Sequence, residues 1–303
     1  MYILDFFKNL FKKNNIGVII WLVLNIVLIA FLFSGGFTDW MGALLGIGIY
    51  ALSMVIALSP IGEWILRLQT GCKKIKDPDV LARMEPLFNE VYAKAKGLNP
   101  ELPDGIKMFM SEDEEPNAFA TGRKTVCITR GLLNYYNDEQ IKGVLSHEFG
   151  HLAHKDTDTI LVVSVGNLIV TVIFTIIRVI SNIVMWFGEF LTAIFSESWG
   201  GVIASIFIGL ARIIADFILV WLMRIWNQIG VWLCMHSSRK NEYRADQYAY
   251  QCGYAYQLCE VLDSFGTERS AQGIFAALAS SHPENADRIN HLNDLMTGAV
   301  AVN

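Results

Sequence analysis

Charged side chains are scarce in this sequence: Asp, Glu, Lys and Arg make up only 17% of its 303 residues, whereas an ordinary soluble domain has about 25%. Apolar residues make up 53% of the chain, and the runs 16–38, 40–62 and 159–177 have no charged residue at all. Each run is long enough to cross the hydrocarbon core of a bilayer, which needs roughly 20 apolar residues. The composition therefore excludes an ordinary soluble protein and indicates several membrane spans.

Other absences narrow the class of protein further. The chain has only 7 prolines and no low-complexity run, which excludes collagen-like and disordered proteins. Its net charge of −5 offers no basic surface for nucleic acid. The 5 cysteines include no CxxC pair, which argues against a disulfide framework or a cysteine-based zinc site and favours reduced thiols in a cytoplasmic compartment.

The basic residues predict how the spans are oriented. Three lysines precede the first span (Lys8, Lys12 and Lys13), four basic residues follow the second at 67–76, and the connection at 34–39 has none. Loops rich in Lys and Arg stay on the cytoplasmic side, so the first two spans are expected to cross outward and back. A third span from Thr159 and a fourth over 201–223 would then leave both termini in the cytoplasm.

These spans divide the chain into a cytoplasmic N-terminus (1–15), transmembrane helices 1 and 2 (16–65), a hydrophilic block (66–158), transmembrane helices 3 and 4 (159–224) and a second hydrophilic block (225–303). Both blocks are expected to be cytoplasmic and to form one domain. Helical periodicity dominates them, but two short β-rich runs, 106–110 and 125–129, flank a loop that contains residues 117–122. The sequence predicts a mainly α protein with four transmembrane helices and a cytoplasmic α+β domain with a small β-sheet.

The strongest motif is the HExxH run from His147 to His151, on a predicted helix that Asn137 or Asp138 can cap. Four residues advance an α-helix by slightly more than one turn, so the two imidazoles project from one face and can hold one metal ion. Glu148 points elsewhere around the helix but lies near enough to act as a general base on water. The alternative is a helix surface with scattered polar residues, which the capped amphipathic helix disfavours.

A catalytic zinc site needs a third protein ligand. His154 is the local alternative, since it lies on nearly the same face and its side chain should lean back toward the N-terminus. It lies about 7.5 Å beyond the midpoint of the pair along the helix axis, which disfavours it. Glu242 is the better candidate, and Asp246 lies four residues later on the same face of a second predicted helix. Such a pair alone is usually a solvated surface. Beside an HExxH helix, Glu242 is expected to complete the metal site and Asp246 to accept the second N–H of a ligating histidine.

An HExxH motif followed, after two further spans, by ExxxD resembles the HtpX-like family of membrane zinc metalloproteases, gluzincins that share these motifs with the CAAX prenyl endopeptidases. Residues 117–120, the strand at 126–129, His282-Pro283 and Arg288-Ile289 also match. The resemblance implies a zincin-type domain with one Zn²⁺ per chain. It also implies an endopeptidase of the bacterial inner membrane that acts on misfolded or damaged membrane proteins or peptides, in quality control and the stress response.

The resemblance further implies roles for residues outside the two motifs. Asn117 and Ala118 would hold the substrate backbone by β-augmentation, although an ordinary turn is the alternative. His282 and Arg288 would lie near the metal, where they would stabilise the oxyanion or order the helix of Glu242. The alternatives for the whole chain are a CAAX prenyl-type endopeptidase, or a catalytically silent membrane scaffold with a degenerate site.

Two charged residues, Arg212 and Asp216, lie within the fourth predicted span at positions i and i+4. Charges inside a bilayer are costly and face a partner or a water-filled cavity. The two side chains are therefore expected either to pair with each other or to line a substrate cavity between spans three and four.

Cysteine labelling tests the predicted topology. In a chain whose native cysteines have been replaced, a reagent applied from outside the cell should label a cysteine at position Thr38 but not one at Asn134, because the positive-inside rule puts only Thr38 outside. Permeabilised cells are the control, since both positions should then react. Labelling of Asn134 alone in intact cells would contradict the topology.

Overall fold

The structure, a computed structural model, describes residues 2–11, 15–195, 199–264 and 285–298. The chain divides into two compact units. The first unit comprises Met1–Gly166 and Val231–Asn303, and it contains the HExxH motif. The second comprises Asn167–Gly230, which is wholly helical apart from the residues at 196–198 that lie outside the described ranges.

Helices dominate the described part of the chain. The first four are α1 (Tyr2–Leu10), α2 (Ile16–Phe33), α3 (Trp40–Ala57) and α4 (Pro60–Gln69). They are followed by α5 (Pro78–Leu98), α6 (Arg130–Tyr135), α7 (Asp138–His154) and α8 (Thr157–Leu161), with a π-helical turn at Val162–Gly166. The remaining helices are α9 (Asn167–Phe195), α10 (Trp199–Gln251), α11 (Ala255–Ser264) and α12 (Asn285–Thr297).

A small mixed sheet lies in the first unit. Its strands are β1 (Lys73–Lys74), β2 (Lys107–Ser111), β3 (Ala118–Thr121) and β4 (Thr125–Thr129), in the order β1-β2-β4-β3. Strands β2 and β4 pair in parallel, whereas β1 and β3 pair antiparallel to their neighbours. The expected loop between the two β-rich runs is therefore partly wrong, because β3 lies within it. Its four residues alternate alanine, which is depleted in strands, with Phe119 and Thr121, which favour them, so pairing with β4 decides its conformation.

The core of the first unit lies between α5, α7 and the sheet. Its most deeply buried members include Met84 and Val91 on α5, Val126 on β4, and Leu145 and Phe149 on α7. The Asp77 side chain accepts hydrogen bonds from the backbone N–H groups of Asp79 and Val80, and so caps the start of α5. The core therefore surrounds the helix that carries the HExxH motif.

Within the described residues, four helical segments are long and apolar enough to cross a membrane: Ile16–Phe33, Trp40–Ala57, Val170–Thr192 and Ile203–Gly230. The third segment lies later than the sequence run predicts. The first part of that run forms α8 and the π-helical turn, where Leu161 and Val165 are buried in the first unit. Hydropathy alone does not distinguish a buried core segment from a membrane span, and the run contains parts of both.

Charged residues pair across the two helices of the second unit. Arg212 Nε lies 3.1 Å from Glu189 Oε1, and Arg178 Nη2 lies 2.8 Å from Asp216 Oδ2. Asn182 Nδ2 donates a third hydrogen bond to Asp216 at 3.0 Å. The expected mutual pair of Arg212 with Asp216 is therefore wrong, because each side chain has an opposite charge on the neighbouring helix. The cavity alternative stays a prediction.

Two cysteines differ from the expectation of reduced thiols. The structure joins Cys72, between α4 and β1, to Cys127 on β4 in a disulfide. The sequence separation of these residues is 55, and cysteine spacing of this kind says nothing about pairing. Cys252 and Cys259 are free thiols, in line with the expectation.

Candidate metal centre

Helix α7, which carries the HExxH motif, begins with a capping box. The Asn137 side chain accepts a hydrogen bond from the Gln140 backbone N–H, and the Gln140 side chain accepts one from the Asn137 N–H. Phe149, inside the motif, packs its buried ring against Phe88 and Tyr92 of α5. Burial of this apolar face fixes the rotation of α7 about its axis, and with it the direction of the polar residues of the motif.

A glycine of the motif lets a second helix come close to α7. A Cβ atom at Gly150 would lie only 2.9 Å from the Cα of Ala245 on α10, so no larger residue fits without a shift of the backbone. Ala245 is itself buried and lies between Glu242 and Asp246 in the sequence. The close contact of the two helices therefore brings both acidic side chains to the HExxH helix.

Three side chains from α7 and α10 converge on one point. Nε2 of His147 lies 3.2 Å from Nε2 of His151 and 3.2 Å from Oε2 of Glu242. Nε2 of His151 lies 3.4 Å from Oε1 of Glu242. Among the described residues, these three form the group whose donor atoms lie close enough together to hold a metal ion. The structure thus brings together the three ligands that the sequence predicts.

The donor set and its spacing fit a catalytic zinc ion. Zinc binds nitrogen and oxygen ligands at about 2.0–2.1 Å, so the corners of a tetrahedral site lie about 3.3–3.4 Å apart. The two Nε2 atoms lie 3.2 Å apart, which is close to this value, and each lies within 3.4 Å of one oxygen of the Glu242 carboxylate. Two histidines and one glutamate are also a known catalytic zinc set that leaves a fourth position open.

Asp246 holds the second ring nitrogen of His147. Its Oδ1 lies 2.8 Å from Nδ1 of His147, so Nδ1–H can donate to the carboxylate while Nε2 keeps its lone pair for a metal. Burial alone would raise the pKa of Asp246, but the charge of Arg288 and hydrogen bonds from Arg288 and His147 lower that pKa to about 2. The carboxylate is therefore ionised at neutral pH.

Arg288 reaches the same carboxylate from α12. Its Nε lies 2.8 Å from Asp246 Oδ2 and its Nη2 lies 2.6 Å from Asp246 Oδ1, which is a bidentate pair. Its Nη1 lies 3.5 Å from Oε2 of Glu242. Of the two roles that the resemblance implies for Arg288, these contacts favour ordering of the Glu242 helix. His282, its expected companion, lies outside the described residues.

His151 and His154 have different surroundings. Nδ1 of His151 lies 3.6 Å from Oδ2 of Asp156, in the connection after α7. Asp156 was missed by the sequence analysis, because a carboxylate just beyond a helix end shows no motif spacing. His154 is absent from the three-ligand group, and its ring faces Tyr248 instead. Burial, and then the charge of Arg244, lower the pKa of His154 to about 4, so it is neutral at pH 7.

Glu148 is fixed by the sheet. The backbone N–H of Ala120 on β3 donates a hydrogen bond of 2.6 Å to Oε2 of Glu148, and the carboxylate is buried. Sequence reasoning missed this contact, because it depends on β3 being a strand beside α7. The bond keeps the carboxylate on the side of α7 that faces the strand.

Strand β3 forms an edge of the sheet, and part of its backbone points away from β4. The carbonyl oxygen of Asn117 accepts a hydrogen bond from Thr129 of β4, whereas the N–H of Ala120 points the opposite way, to Glu148. Backbone direction alternates along a strand, so Ala118 also directs its N–H and C=O to the outer edge. The structure places Asn117 and Ala118 at an edge that an extended peptide can extend.

An HExxH helix whose histidines meet a glutamate of another helix is the arrangement of metallopeptidases, and the apolar helices of this chain make it a membrane metalloprotease. Its family follows from the sequence. The family model for Peptidase family M48 matches residues 81–296, and the chain belongs to that family.

Curated relatives named Protease HtpX are similar over most of the chain. The relative from Pseudomonas putida (strain GB-1) is 27% identical over 315 residues, which cover 93% of this chain and 97% of the relative. That from Ectopseudomonas mendocina (strain ymp) is 28% identical over 257 residues, which cover 78% and 81%. Among solved structures, Ste24p from S. mikatae matches with a TM-score of 0.43 at 19% identity, over 96% of this chain and 65% of that protein.

Removal of the third ligand should release the metal. The variant Glu242→Ala loses one of the three donors. Loss of a residue that only hydrogen-bonds a ligand lowers metal affinity by about 10–100-fold, so the zinc affinity of Glu242→Ala should fall by more than that. His154→Ala is the matched control and should bind zinc as the parent does, because its ring faces Tyr248. Competition with a chelator measures both affinities. Loss of zinc only in His154→Ala would contradict this ligand set.

The contact between Asp246 and His147 has its own test. Asp246→Asn keeps the shape of the side chain but removes the charge that orients the ring, so zinc affinity or activity should fall by about 10–100-fold. The exposed Asp263 on α11 provides the control variant Asp263→Asn, which should leave both unchanged. If zinc affinity and the cleavage rate are both unchanged in Asp246→Asn, Asp246 acts only as a structural ion-pair partner of Arg288.

Proposed function

We propose that this chain is a zinc-dependent endopeptidase of a bacterial inner membrane, which hydrolyses peptide bonds of misfolded or damaged membrane proteins. Its catalytic unit and both termini would lie on the cytoplasmic side. The observation that carries the proposal is the convergence of His147, His151 and Glu242 donor atoms within 4.8 Å of one another. Glu148 lies on the helix of the two histidines. A catalytically silent scaffold would not need this complete set.

Each side chain of the site has a defined task in peptide hydrolysis. His147, His151 and Glu242 would hold one Zn²⁺ per chain, and the bound ion would supply a Lewis acid that polarises a carbonyl and acidifies water. Glu148 would accept the proton of the attacking water and later donate it to the departing amine, as a general base and then a general acid. The hydrogen bond from Ala120 keeps Glu148 oriented for both transfers.

The edge of β3 favours a particular state of the substrate. A peptide that pairs with the outward backbone groups of Ala118 must itself be extended, with its own N–H and C=O groups available. A peptide within a folded helix or sheet has already used those groups. The geometry therefore supports unfolded segments as substrates, and this is the basis for proposing damaged or misfolded proteins.

The apolar helices support substrates and partners in the bilayer. The catalytic motif and four segments able to cross a membrane belong to one chain, so the lipid bilayer is the expected surrounding and membrane proteins are the substrates within reach. The net charge of −5 supports no nucleic-acid partner. The orientation with a cytoplasmic catalytic unit rests on the positive-inside rule.

Glu148→Gln separates catalysis from metal binding. The amide cannot accept a proton from water, so cleavage of a misfolded membrane protein should fall by the usual general-base contribution, about 10²–10⁴-fold. Zinc content should stay near that of the parent, because Glu148 is not one of the three donors. Glu139→Gln is the matched control on the same helix, since Glu139 contacts the side chain of Lys142 and not the site.

The same assay distinguishes the alternatives. Equal cleavage by the parent and by Glu148→Gln would remove Glu148 as the base. Zinc bound without cleavage of any protein or peptide would favour a scaffold, and cleavage confined to a C-terminal prenyl-cysteine peptide would favour a CAAX prenyl-type endopeptidase.

A further inference from the structure

We propose that Glu63, Arg123 and Asp158 are positioning residues for the cleavage reaction. They hold the turn between β3 and β4 and so keep the edge of β3 in a fixed place beside Glu148. The inference rests on the proposed function, because it is there that β3 is assigned to the substrate.

The three residues bring charges into the interior of the first unit. Glu63 on α4 is 4% exposed, Arg123 in the turn after β3 is 6% exposed, and Asp158 on α8 is 1% exposed. Charged side chains are almost never buried to this extent unless they are paired and hydrogen-bonded. The three side chains are therefore expected to be paired and hydrogen-bonded.

The bonds converge on the turn. Arg123 donates from Nε to Oδ1 of Asp158 at 3.1 Å and from Nη2 to Oδ2 at 2.6 Å, in a bidentate pair. The backbone N–H of Arg123 donates to Oε1 of Glu63 at 2.8 Å. The hydroxyl of Thr125, at the start of β4, donates to Oε2 of Glu63 at 3.2 Å. The Glu63 carboxylate thus binds the backbone of the turn, and the Asp158 carboxylate binds the side chain of Arg123.

Gly122 shows how closely the turn is held. Its φ angle is +58°, a conformation that L side chains rarely adopt, and a Cβ atom there would lie 2.1 Å from the Glu63 side chain. Its carbonyl oxygen accepts a hydrogen bond from the hydroxyl of Thr157 on α8. The turn is therefore enclosed by α4 on one side and α8 on the other.

These contacts give the turn a fixed position relative to the catalytic helix. α8 begins at Thr157, shortly after α7 ends at His154, and Ala120 of β3 is bonded to Glu148 of α7. β3 is thus held at its middle by the catalytic helix and at its end by the charged cluster. Because β3 is held at two points, its outer edge stays at a fixed distance from Glu148.

Stability alone does not account for such a cluster. Replacement of a buried ion pair by apolar or neutral groups of similar volume is often neutral for stability, although removal of one partner alone is costly. What apolar groups cannot supply is direction, since they do not fix a backbone N–H or a guanidinium in one orientation. A displacement of about 1 Å in a reacting group can cost about 10²-fold in rate. The structure therefore assigns the cluster to the placement of β3.

The test uses a double variant, Arg123→Met with Asp158→Asn, which removes both members of the bidentate pair together. Glu63 stays, with Arg67 Nη1 3.9 Å from its Oε2. Its kcat/KM for a peptide long enough to pair along β3 should fall by at least about 10-fold, with a raised KM. A short peptide that spans only the scissile bond should change by less than about 3-fold. Zinc content should be unchanged, because the three ligands lie elsewhere.

Two further variants define the cause. Arg123→Lys keeps a charge but cannot form the bidentate pair, so it should fall between the parent and the double variant. Arg130→Met is the control, because Arg130 also follows the sheet but binds the exposed Glu112. It should cleave both peptides as the parent does. Equal losses on long and short peptides, or no loss on either, would overturn the positioning role.

Hydrogen exchange gives a readout that does not depend on cleavage. Amides of β3 should exchange at least about 10-fold faster in the double variant, while those of α7 keep their protection, because opening of a local segment governs exchange. Unchanged exchange in β3 would refute the positioning role alone. A parent chain that binds zinc but cleaves neither peptide would refute the proposed function instead.

Discussion

The carboxylate of Asp246 is the charge on which the metal centre depends. It is completely removed from solvent, and a buried charge is tolerated only when partners satisfy it. Its partners are His147 of the HExxH helix and Arg288 of α12. One compensated charge therefore holds α7, α10 and α12 together, and Glu242 takes its position from the same helix as Asp246. The ligand geometry is a result of this network as much as of the motif.

The same physical rule recurs in two other places in the molecule. Arg123 and Asp158 pair where the first unit excludes water, and Arg178 pairs with Asp216 within the apolar helices of the second unit. In each place an arginine meets a carboxylate from a different element. Although charged residues are few in this sequence, several of them lie in surroundings where a charge needs a partner of opposite sign.

Local sequence signals predicted the parts of the structure that depend on neighbours in the chain. The capping pattern at Asn137 indicated the start of α7, and the spacing of His147 and His151 indicated a shared face. Features that depend on distant residues were missed or wrong. β3 is a strand only because β4 lies beside it, and Arg212 pairs with a residue of the neighbouring helix. Periodicity describes one element at a time and carries no information about which elements meet.

The order of the site residues along the chain has a consequence for biosynthesis. Arg288, which completes the network around Asp246, lies 141 residues after His147. The apolar helices of the second unit are synthesised between them. The HExxH helix of a nascent chain is therefore synthesised before Glu242, and before the arginine that orders the network. The three candidate ligands and Arg288 can therefore come together only after the second unit has been synthesised.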